Sequence, residues 1–178
     1  MTAEPLAPLA TWAPRLAAVH AVEQPFRTQL TLRFRGTSVL GVPLPEPCRF
    51  VAGDGVEILW MGPDEYLVLA EPGRQEELEA SLRAAIGDAP GAVCDVSAQR
   101  TTVDLTGSSA RDVLAHGCSI DLHPAVSPPG TCVQTLLARM GIVLLVREEG
   151  FTILVRQSFA EYFAAWLIDA SVEYQEVR

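Results

Sequence analysis

Two segments of this sequence share one pattern, in which a strand, a tight turn and a returning strand are followed by a helix. The first segment covers residues 56–86 and the second covers residues 142–170. They match at a constant offset of 85 or 86 positions, so that Tyr66 corresponds to Phe151. Because this offset is close to half of the 178 residues, the sequence predicts an internally duplicated α+β domain, built of antiparallel strands with covering helices.

The duplication predicts one domain over residues 15–172, composed of two pseudo-repeats at about 15–90 and 91–172. Polar and apolar residues alternate over 28–35, which predicts a half-buried strand whose Leu30, Leu32 and Phe34 face the core. The remaining pattern predicts strands at 92–96, 101–105 and 131–139, helices at 72–86, 110–116 and 158–170, and loops at 41–55 and 119–130.

The N-terminal residues 1–14 carry Pro5, Pro8 and Pro14. Proline lacks a backbone N–H and restricts the residue before it, so this spacing predicts an extended arm of the kind that often joins an interface.

The first 18 residues contain Arg15 as their sole basic residue and do not have the pattern of a signal peptide. No apolar run is long enough to span a bilayer, so we expect a cytoplasmic protein without a membrane anchor.

All thirteen basic residues are arginines, and the sequence contains no lysine. This excludes a Schiff-base lysine and the phosphate-binding loop whose lysine contacts the phosphates. The 22 acidic residues give a net charge of −9, which disfavours nonspecific binding to nucleic acids or anionic lipids.

The four cysteines are irregularly spaced, at Cys48, Cys94, Cys118 and Cys132. We expect reduced thiols that pack as small hydrophobic side chains.

Possible metal ligands cluster within eight residues, at His116, Cys118, Asp121 and His123. Their spacing is not that of a compact zinc site, and His116 falls at a helix end, where a cation is favoured. We therefore expect no metal site here, although a metal-dependent hydrolase remains an alternative. His20 lies in an apolar stretch and is expected in or beside a strand.

Candidate nucleophiles are few, with Cys94 beside Asp95 and Ser97 the best placed. A nucleophile elbow and a glycine-rich dinucleotide loop are both missing from the sequence, and Cys94 is expected as a buried, inert thiol in a strand. Trp60 and Tyr66 could form an aromatic platform, but a structural pair across the hairpin is the more common arrangement. Asp104 occupies a polar position in the alternating pattern of a predicted strand, so it is expected to face solvent. We assign no catalytic residue.

Four short segments follow one another in a distinctive order and spacing. They are Trp-Met-Gly-Pro-Asp-Glu-Tyr-Leu-Val-Leu at 60–69, Cys-Asp-Val-Ser at 94–97 with Arg100, the stretch 103–122, and Val-Arg-Gln-Ser-Phe-Ala-Glu-Tyr at 155–162 followed by Trp166 and Leu167. Together they resemble the gamma subunit family of heterotetrameric sarcosine oxidase over roughly residues 15–170.

The resemblance implies a role in the oxidative demethylation of sarcosine to glycine, with formaldehyde or methylenetetrahydrofolate and hydrogen peroxide as the other products. It implies that FAD, FMN, NAD and tetrahydrofolate belong to partner subunits. This chain then holds no cofactor, docks directly on the alpha subunit and shares the complex with the beta and delta subunits. The implied fold is the folate-binding fold of aminomethyltransferases, which is itself a duplication.

A relative with this fold could keep a pteridine pocket between its halves, with an acid bound to the pterin edge. Asp95, Asp104 and Asp121 are the candidates for that acid. The alternative function is therefore a stand-alone folate-binding or one-carbon-transfer protein of the same fold.

Overall fold

The computed structural model describes residues 6–174, which form four α-helices and twelve strands joined by turns and short 3-10 segments. The helices are α1 (Ala13–Ala17), α2 (Gln75–Ile86), α3 (Ala110–Ala115) and α4 (Ala160–Ala170). The strands are β1 (Ala21–Gln24), β2 (Thr28–Phe34), β3 (Ser38–Val39), β4 (Val42–Pro43), β5 (Phe50–Gly53), β6 (Val56–Gly62), β7 (Glu65–Ala70), β8 (Gly91–Asp95), β9 (Arg100–Leu105), β10 (Cys132–Leu137), β11 (Met140–Arg147) and β12 (Gly150–Arg156). Over residues 6–174, no helix combines the length and the apolarity that crossing a membrane requires.

Two five-stranded antiparallel sheets form the body of the molecule. The N-terminal sheet has the order β5-β6-β7-β2-β8, and the C-terminal sheet has the order β1-β9-β12-β11-β10. Strands β3 and β4 pair separately as a small hairpin. The predicted α+β class with antiparallel strands and covering helices is confirmed.

Three apolar cores hold these layers together. Leu82 of α2 packs on one face of the N-terminal sheet, and Phe163 of α4 packs with α1 and α3 on the far face of the C-terminal sheet. Between the sheets, Leu59 of β6 meets Leu145 of β11 in a third core. The order of layers is therefore helix, sheet, sheet, helices, and each fully buried leucine contributes about 1.5–3 kcal/mol.

The two sheets correspond strand by strand when the strands of the N-terminal sheet are listed from β8 to β5. β8-β2-β7-β6-β5 then corresponds to β1-β9-β12-β11-β10, and α2 and α4 each follow the third strand of that order. The first strand of each half is exchanged, because β1 pairs with β9 and β8 pairs with β2. The duplicated pattern is thus visible in the sheets, while the boundary of the pseudo-repeats near residue 90 stays a prediction.

Helix α2 shows how the sequence specifies one of these elements. Leu78 and Leu82 are buried against the N-terminal sheet, and Ile86 packs beside them one turn later. Acidic residues stand in the first turn, where the helix dipole favours them, and Gly87 ends the helix with a φ of 53°. The predicted helix therefore has the expected apolar face and begins three residues later than expected.

The N-terminal arm differs from the predicted extended conformation. Residues 1–5, with Pro5, lie outside the described range. Residues 10–12 form a 3-10 turn, and α1 begins at Ala13 with Pro14 in its first turn. Proline is compatible with a helix there because the first N–H groups of a helix have no intrahelical partner. The prediction is wrong at this point, since Pro14 lies in the first turn of a helix that buries Leu16.

Four strands were not predicted, namely the two-residue strands β3 and β4 and the longer β5 and β1. β5 lies within residues 41–55, a segment predicted as loop, and β1 follows His20. Both are four residues long and stand at sheet edges, so they carry too few residues for a period-two pattern. His20 is exposed with a φ of 56°, and its carbonyl accepts a hydrogen bond from the Thr106 N–H at 3.0 Å, so it lies beside a strand as predicted.

Candidate functional site

Asp95, the first of the three predicted acids, ends strand β8 and is exposed. Its Oδ1 accepts hydrogen bonds from the Ser97 backbone N–H at 2.9 Å and the Ser97 hydroxyl at 2.6 Å. Ser97 Oγ in turn accepts the Gln29 N–H at 2.9 Å, which connects the turn to β2. The carboxylate therefore closes a local turn, an arrangement that aspartate commonly forms.

Asp104 lies on β9 and is half-buried, which corrects the expectation that it faces solvent. Its Oδ1 accepts a hydrogen bond from Thr152 Oγ1 at 2.7 Å across the β9–β12 pair. The alternation on β9 was interpreted correctly, but its polar side faces the second sheet. The alternation along a strand shows which residues share a face, but it does not show which part of the molecule covers that face.

Asp121 lies in the loop between α3 and β10 and is exposed. Its Oδ1 accepts the His123 N–H at 2.8 Å, and its carbonyl oxygen accepts the Ser127 hydroxyl at 2.6 Å. The three predicted acids thus stand on β8, on β9 and in a loop, each hydrogen-bonded to a different group of residues. A pterin contact through any of them stays a prediction.

The predicted metal-ligand types do not gather in space. His116 Nε2 lies 2.9 Å from the hydroxyl of Tyr174, and His123 Nδ1 accepts the Ala125 N–H at 3.2 Å. Burial raises the pKa of Cys118, which disfavours the thiolate that binds metals. Within residues 6–174, no three His, Cys, Asp or Glu side chains are grouped so that they could hold a metal ion.

The four cysteines differ in burial, with Cys118 half-buried and the other three at the extremes. Cys132 is fully buried, and desolvation by burial raises the pKa of its thiol to about 12. Cys48 and Cys94 are exposed, which corrects the expectation of a buried Cys94. β8 is an edge strand, and only its Val93 packs into the core beneath α2, so the neighbouring Cys94 points the other way.

Trp60 and Tyr66 lie opposite each other in the β6–β7 hairpin. Tyr66 is buried in the core beneath α2, and Trp60 packs against the same core. The pair is therefore structural, as the cross-hairpin interpretation predicts.

Glu57 of β6 joins the two sheets through an ion-pair network that sequence reasoning did not identify. Both of its carboxylate oxygens contact the Arg147 guanidinium of β11, with one distance of 3.1 Å, and Arg27 Nη1 lies 3.2 Å from Oε2. Arg147 Nε also donates to Thr152 Oγ1 at 2.9 Å, so the network reaches Asp104. The side chains of Glu57, Arg27 and Arg147 are 16%, 18% and 27% exposed.

The charge state of Glu57 follows from these neighbours. Burial alone raises the pKa of Glu57, but hydrogen bonds and charges from Arg147 and Arg27 outweigh it and lower the pKa overall. A general base needs a pKa near the working pH, whereas this carboxylate is ionised well below neutrality. The network is therefore suited to holding the sheets together rather than to moving protons.

A second feature missed by sequence reasoning is a cleft of about 450 Å³ at one end of strands β9, β12, β11 and β10 of the C-terminal sheet. Arg100 and Arg156 lie on its wall, with Gln134, Thr135 and Leu136 of β10 nearby. Such a cleft offers two guanidinium groups and several neutral hydrogen-bonding groups, which is the chemistry that binds a carboxylate.

Comparison with known proteins then decides the family. The model of the sarcosine oxidase, gamma subunit family matches residues 33–173. The chain belongs to the sarcosine oxidase gamma subunit family. The predicted family is confirmed.

Named members of this family are similar over most of the chain. The sarcosine oxidase subunit gamma of Corynebacterium sp. strain P-1 is 42% identical over 138 residues, which are 76% of this chain and 67% of that protein. The protein of the same name from Corynebacterium sp. strain U-96 is 40% identical over 168 residues, which are 88% of this chain and 81% of that protein.

Solved structures agree with the sequence comparison. A chain of the heterotetrameric sarcosine oxidase from Corynebacterium sp. U-96, in complex with pyrrole 2-carboxylate, superposes with a TM-score of 0.86 and 36% identity over 98% of both chains. The aminomethyltransferase T of the glycine cleavage system from Bartonella henselae gives a TM-score of 0.57 at 14% identity, over 88% of this chain and 48% of that one. The predicted aminomethyltransferase-like fold is thereby confirmed for this gamma-family chain.

Proposed function

We propose that this gamma-family chain is a non-catalytic subunit of a heterotetrameric enzyme that oxidatively demethylates sarcosine to glycine. The observation that carries the proposal is the superposition of nearly the whole chain on nearly a whole chain of a heterotetrameric sarcosine oxidase. In the proposed reaction, oxygen is reduced to hydrogen peroxide. The one-carbon unit leaves as formaldehyde, or as methylenetetrahydrofolate when folate is present.

The proposed partners are an alpha subunit, contacted directly, and the beta and delta subunits of the same complex, in the cytoplasm. FAD, FMN, NAD and tetrahydrofolate are proposed to bind those partners and not this chain. The state of two reactive groups supports the non-catalytic role. Glu57 is held as an anion by two arginines, and burial raises the pKa of Cys132 to about 12, so neither is suited to proton transfer or nucleophilic attack near neutral pH.

The proposal is tested by co-expressing this chain with a tagged alpha subunit and the other partners. We expect the chain to co-purify in a fixed ratio and the complex to produce peroxide from sarcosine. The isolated chain should fold, show no flavin absorbance and leave sarcosine unchanged. Turnover of sarcosine by the isolated chain, or failure of the chain to join the complex, would contradict the proposal.

The alternative of a stand-alone folate-binding protein is separated by calorimetric titration of the isolated chain with tetrahydrofolate. Saturable binding in the micromolar range, about 8 kcal/mol, would favour the alternative. In that case Asp95→Asn, Asp104→Asn and Asp121→Asn, made one at a time, would identify the acid that contacts the pterin.

A further inference from the structure

Arg100 and Arg156 form an unusual pair on the C-terminal sheet. They stand directly opposite each other, Arg100 at the start of β9 and Arg156 at the end of β12. Like charges in this position on neighbouring strands destabilise a sheet. Within residues 6–174, neither guanidinium takes part in an ion pair, although acidic residues outnumber basic ones in the chain by 22 to 13.

The surroundings do not neutralise this pair. Burial and then the charge of Arg156 lower the pKa of Arg100, and the charge of Glu65 opposes them only in part. Glu65 is itself engaged, because its Oε2 lies 2.9 Å from Arg33 Nη2. The isolated chain therefore bears an electrostatic cost at Arg100 and Arg156 that an external anion would remove.

The shape of the surface allows such an anion to reach both arginines. They share the wall of the open cleft of about 450 Å³, where Ser119, Gln134 and Thr135 supply neutral hydrogen-bonding groups. A carboxylate accepts hydrogen bonds from two guanidinium groups in a well-defined geometry, which adds specificity to the charge attraction.

An apolar border is formed by one exposed side chain on the cleft wall and by two exposed aromatic side chains at the same end of the C-terminal sheet. Leu136, on the cleft wall, is 51% exposed. Phe159 follows Arg156 by three residues and is 43% exposed, and Tyr162, one helical turn farther along, is 50% exposed. The Tyr162 hydroxyl donates to the Ala138 carbonyl at 3.0 Å, which ties α4 to the turn that follows β10. Arginine and exposed aromatic side chains are both enriched at protein–protein interfaces and among the residues that contribute most of the binding energy.

We propose that this arginine surface, defined by Arg100, Arg156, Leu136, Phe159 and Tyr162, docks a partner subunit of the oxidase. The partner places an Asp or Glu carboxylate between the two guanidinium groups, and its apolar side chains cover Leu136, Phe159 and Tyr162. The apolar border favours a protein carboxylate over a small free anion, because a small anion would leave that border in water. The inference rests on the proposed function and adds the docking surface and the chemistry of its occupant.

The test uses the co-expressed complex with Arg156→Glu in this chain. Arg156 is exposed, and the new carboxylate would lie opposite Arg100 and repel the partner's acid. We expect the affinity for the partner subunits to fall by at least about tenfold. The isolated variant should unfold at a higher temperature than the wild type, because the Arg100–Arg156 repulsion is replaced by an attraction. If Arg156 instead stabilises the fold of the isolated chain, Arg156→Glu should unfold at a lower temperature than the wild type.

A second variant and a control complete the experiment. Leu136→Asp changes the apolar border and should weaken docking to a similar degree. Arg83→Glu makes the same charge change on α2, beyond the N-terminal sheet, and should leave docking unchanged. Inorganic phosphate and acetate, titrated into the isolated chain, probe the cleft for small anions.

Weakened docking in Arg156→Glu and Leu136→Asp, with the control unaffected, would support the inference. If the wild-type chain joins the complex and both variants join it equally well, the inference is wrong while the proposed function stands. Saturable phosphate or acetate binding that needs Arg156, combined with normal docking of Arg156→Glu, would identify a small-anion site and overturn it too. A wild-type chain that does not join the complex would overturn the proposed function and this inference together.

Discussion

At the scale of single residues, Glu57 connects the two sheets through ion pairs. It lies between the sheets with Arg27 and Arg147, which are distant in sequence and near in space. Removing one member of a largely buried ion pair leaves the other charges desolvated without compensation, which costs more than the pair itself contributed. The network therefore stabilises the sheet–sheet contact only while all three residues are present.

Glu57→Gln should lower the free energy of unfolding by about 2–3 kcal/mol at neutral pH. Because the pKa of Glu57 in the folded protein lies below its ordinary value of 4.5, its contribution is complete above about pH 4.5. The contribution is lost as the pH falls from there through the lower folded-state pKa. Urea unfolding at neutral and acidic pH should therefore show a smaller acid loss in Glu57→Gln than in the wild type.

Glu79→Gln serves as the control for this experiment. It removes an i,i+4 ion pair with Arg83 on the exposed face of α2, and such pairs contribute little. We expect an unfolding midpoint close to that of the wild type. Equal destabilisation by both substitutions would contradict the role assigned to the Glu57 network.

Thiol reactivity tests the burial of the cysteines. In the native isolated chain, two thiols, Cys48 and Cys94, should react rapidly with a maleimide, since both are exposed. Cys132 should react only after unfolding, because burial raises its pKa to about 12 and blocks access. Mass spectrometry of labelled peptides before and after denaturation distinguishes the four sites, and rapid native labelling of Cys132 would contradict the structure.

At the scale of secondary-structure elements, the β11–β12 turn depends on one glycine. Gly150 has a φ of 114°, and a Cβ at this position would lie 2.2 Å from the Leu105 carbonyl oxygen of β9. A side chain is therefore excluded both by the backbone conformation and by the neighbouring strand. The turn brings β12 into register between β11 and β9, so its geometry affects the centre of the C-terminal sheet.

Gly150→Ala should destabilise the protein by roughly 2–4 kcal/mol. Either the turn must take up a strained backbone conformation or β9 must move away from the new side chain. Gly141 is the matched control, since it belongs to the same strand pair and a Cβ there meets no atom within 4 Å. Thermal unfolding of Gly150→Ala and Gly141→Ala compares the two. A neutral Gly150→Ala would show that the close approach to Leu105 is relieved at no cost.

Elements with a long periodic pattern were predictable, and short edge elements were not. The hairpins and α2 follow from alternation and from the spacing of Leu78 and Leu82, which are local signals. β1 and β5 are four residues each, and their existence depends on partner strands elsewhere in the chain. The Glu57 ion-pair network could not be predicted for the same reason. Glu57 and Arg147 are 90 residues apart, and nothing in the local sequence indicates that they meet.

At the scale of the whole molecule, the exchange of β1 and β8 makes the two halves dependent on each other. β1 completes the C-terminal sheet beside β9, and β8 completes the N-terminal sheet beside β2. Each half alone would leave its own sheet one strand short and its first strand without a partner. The inter-sheet core around Leu59 and Leu145 would also be exposed.

Dividing the chain between residues 90 and 91 should therefore give two fragments that do not fold separately. Circular dichroism and hydrogen exchange of each fragment should show little cooperative structure, and mixing the two should restore both. Division between Pro128 and Pro129 is the control, because it keeps β1 with β9 and β8 with β2 in one fragment. Cooperative unfolding of either 90/91 fragment alone would contradict the proposed interdependence.

The exchanged strands also set an order of events during synthesis of the chain. β2 meets β7 once about seventy residues exist, but β1 has no partner until β9 has been made at residues 100–105. The pairing of β2 with β7 can thus form while the ribosome is still extending the chain, whereas β1 stays unpaired until β9 is complete at residue 105 of 178. The first strand to be translated therefore stays unpaired while β2 to β8 are made, which exposes the N-terminus of the nascent chain to wrong strand pairing.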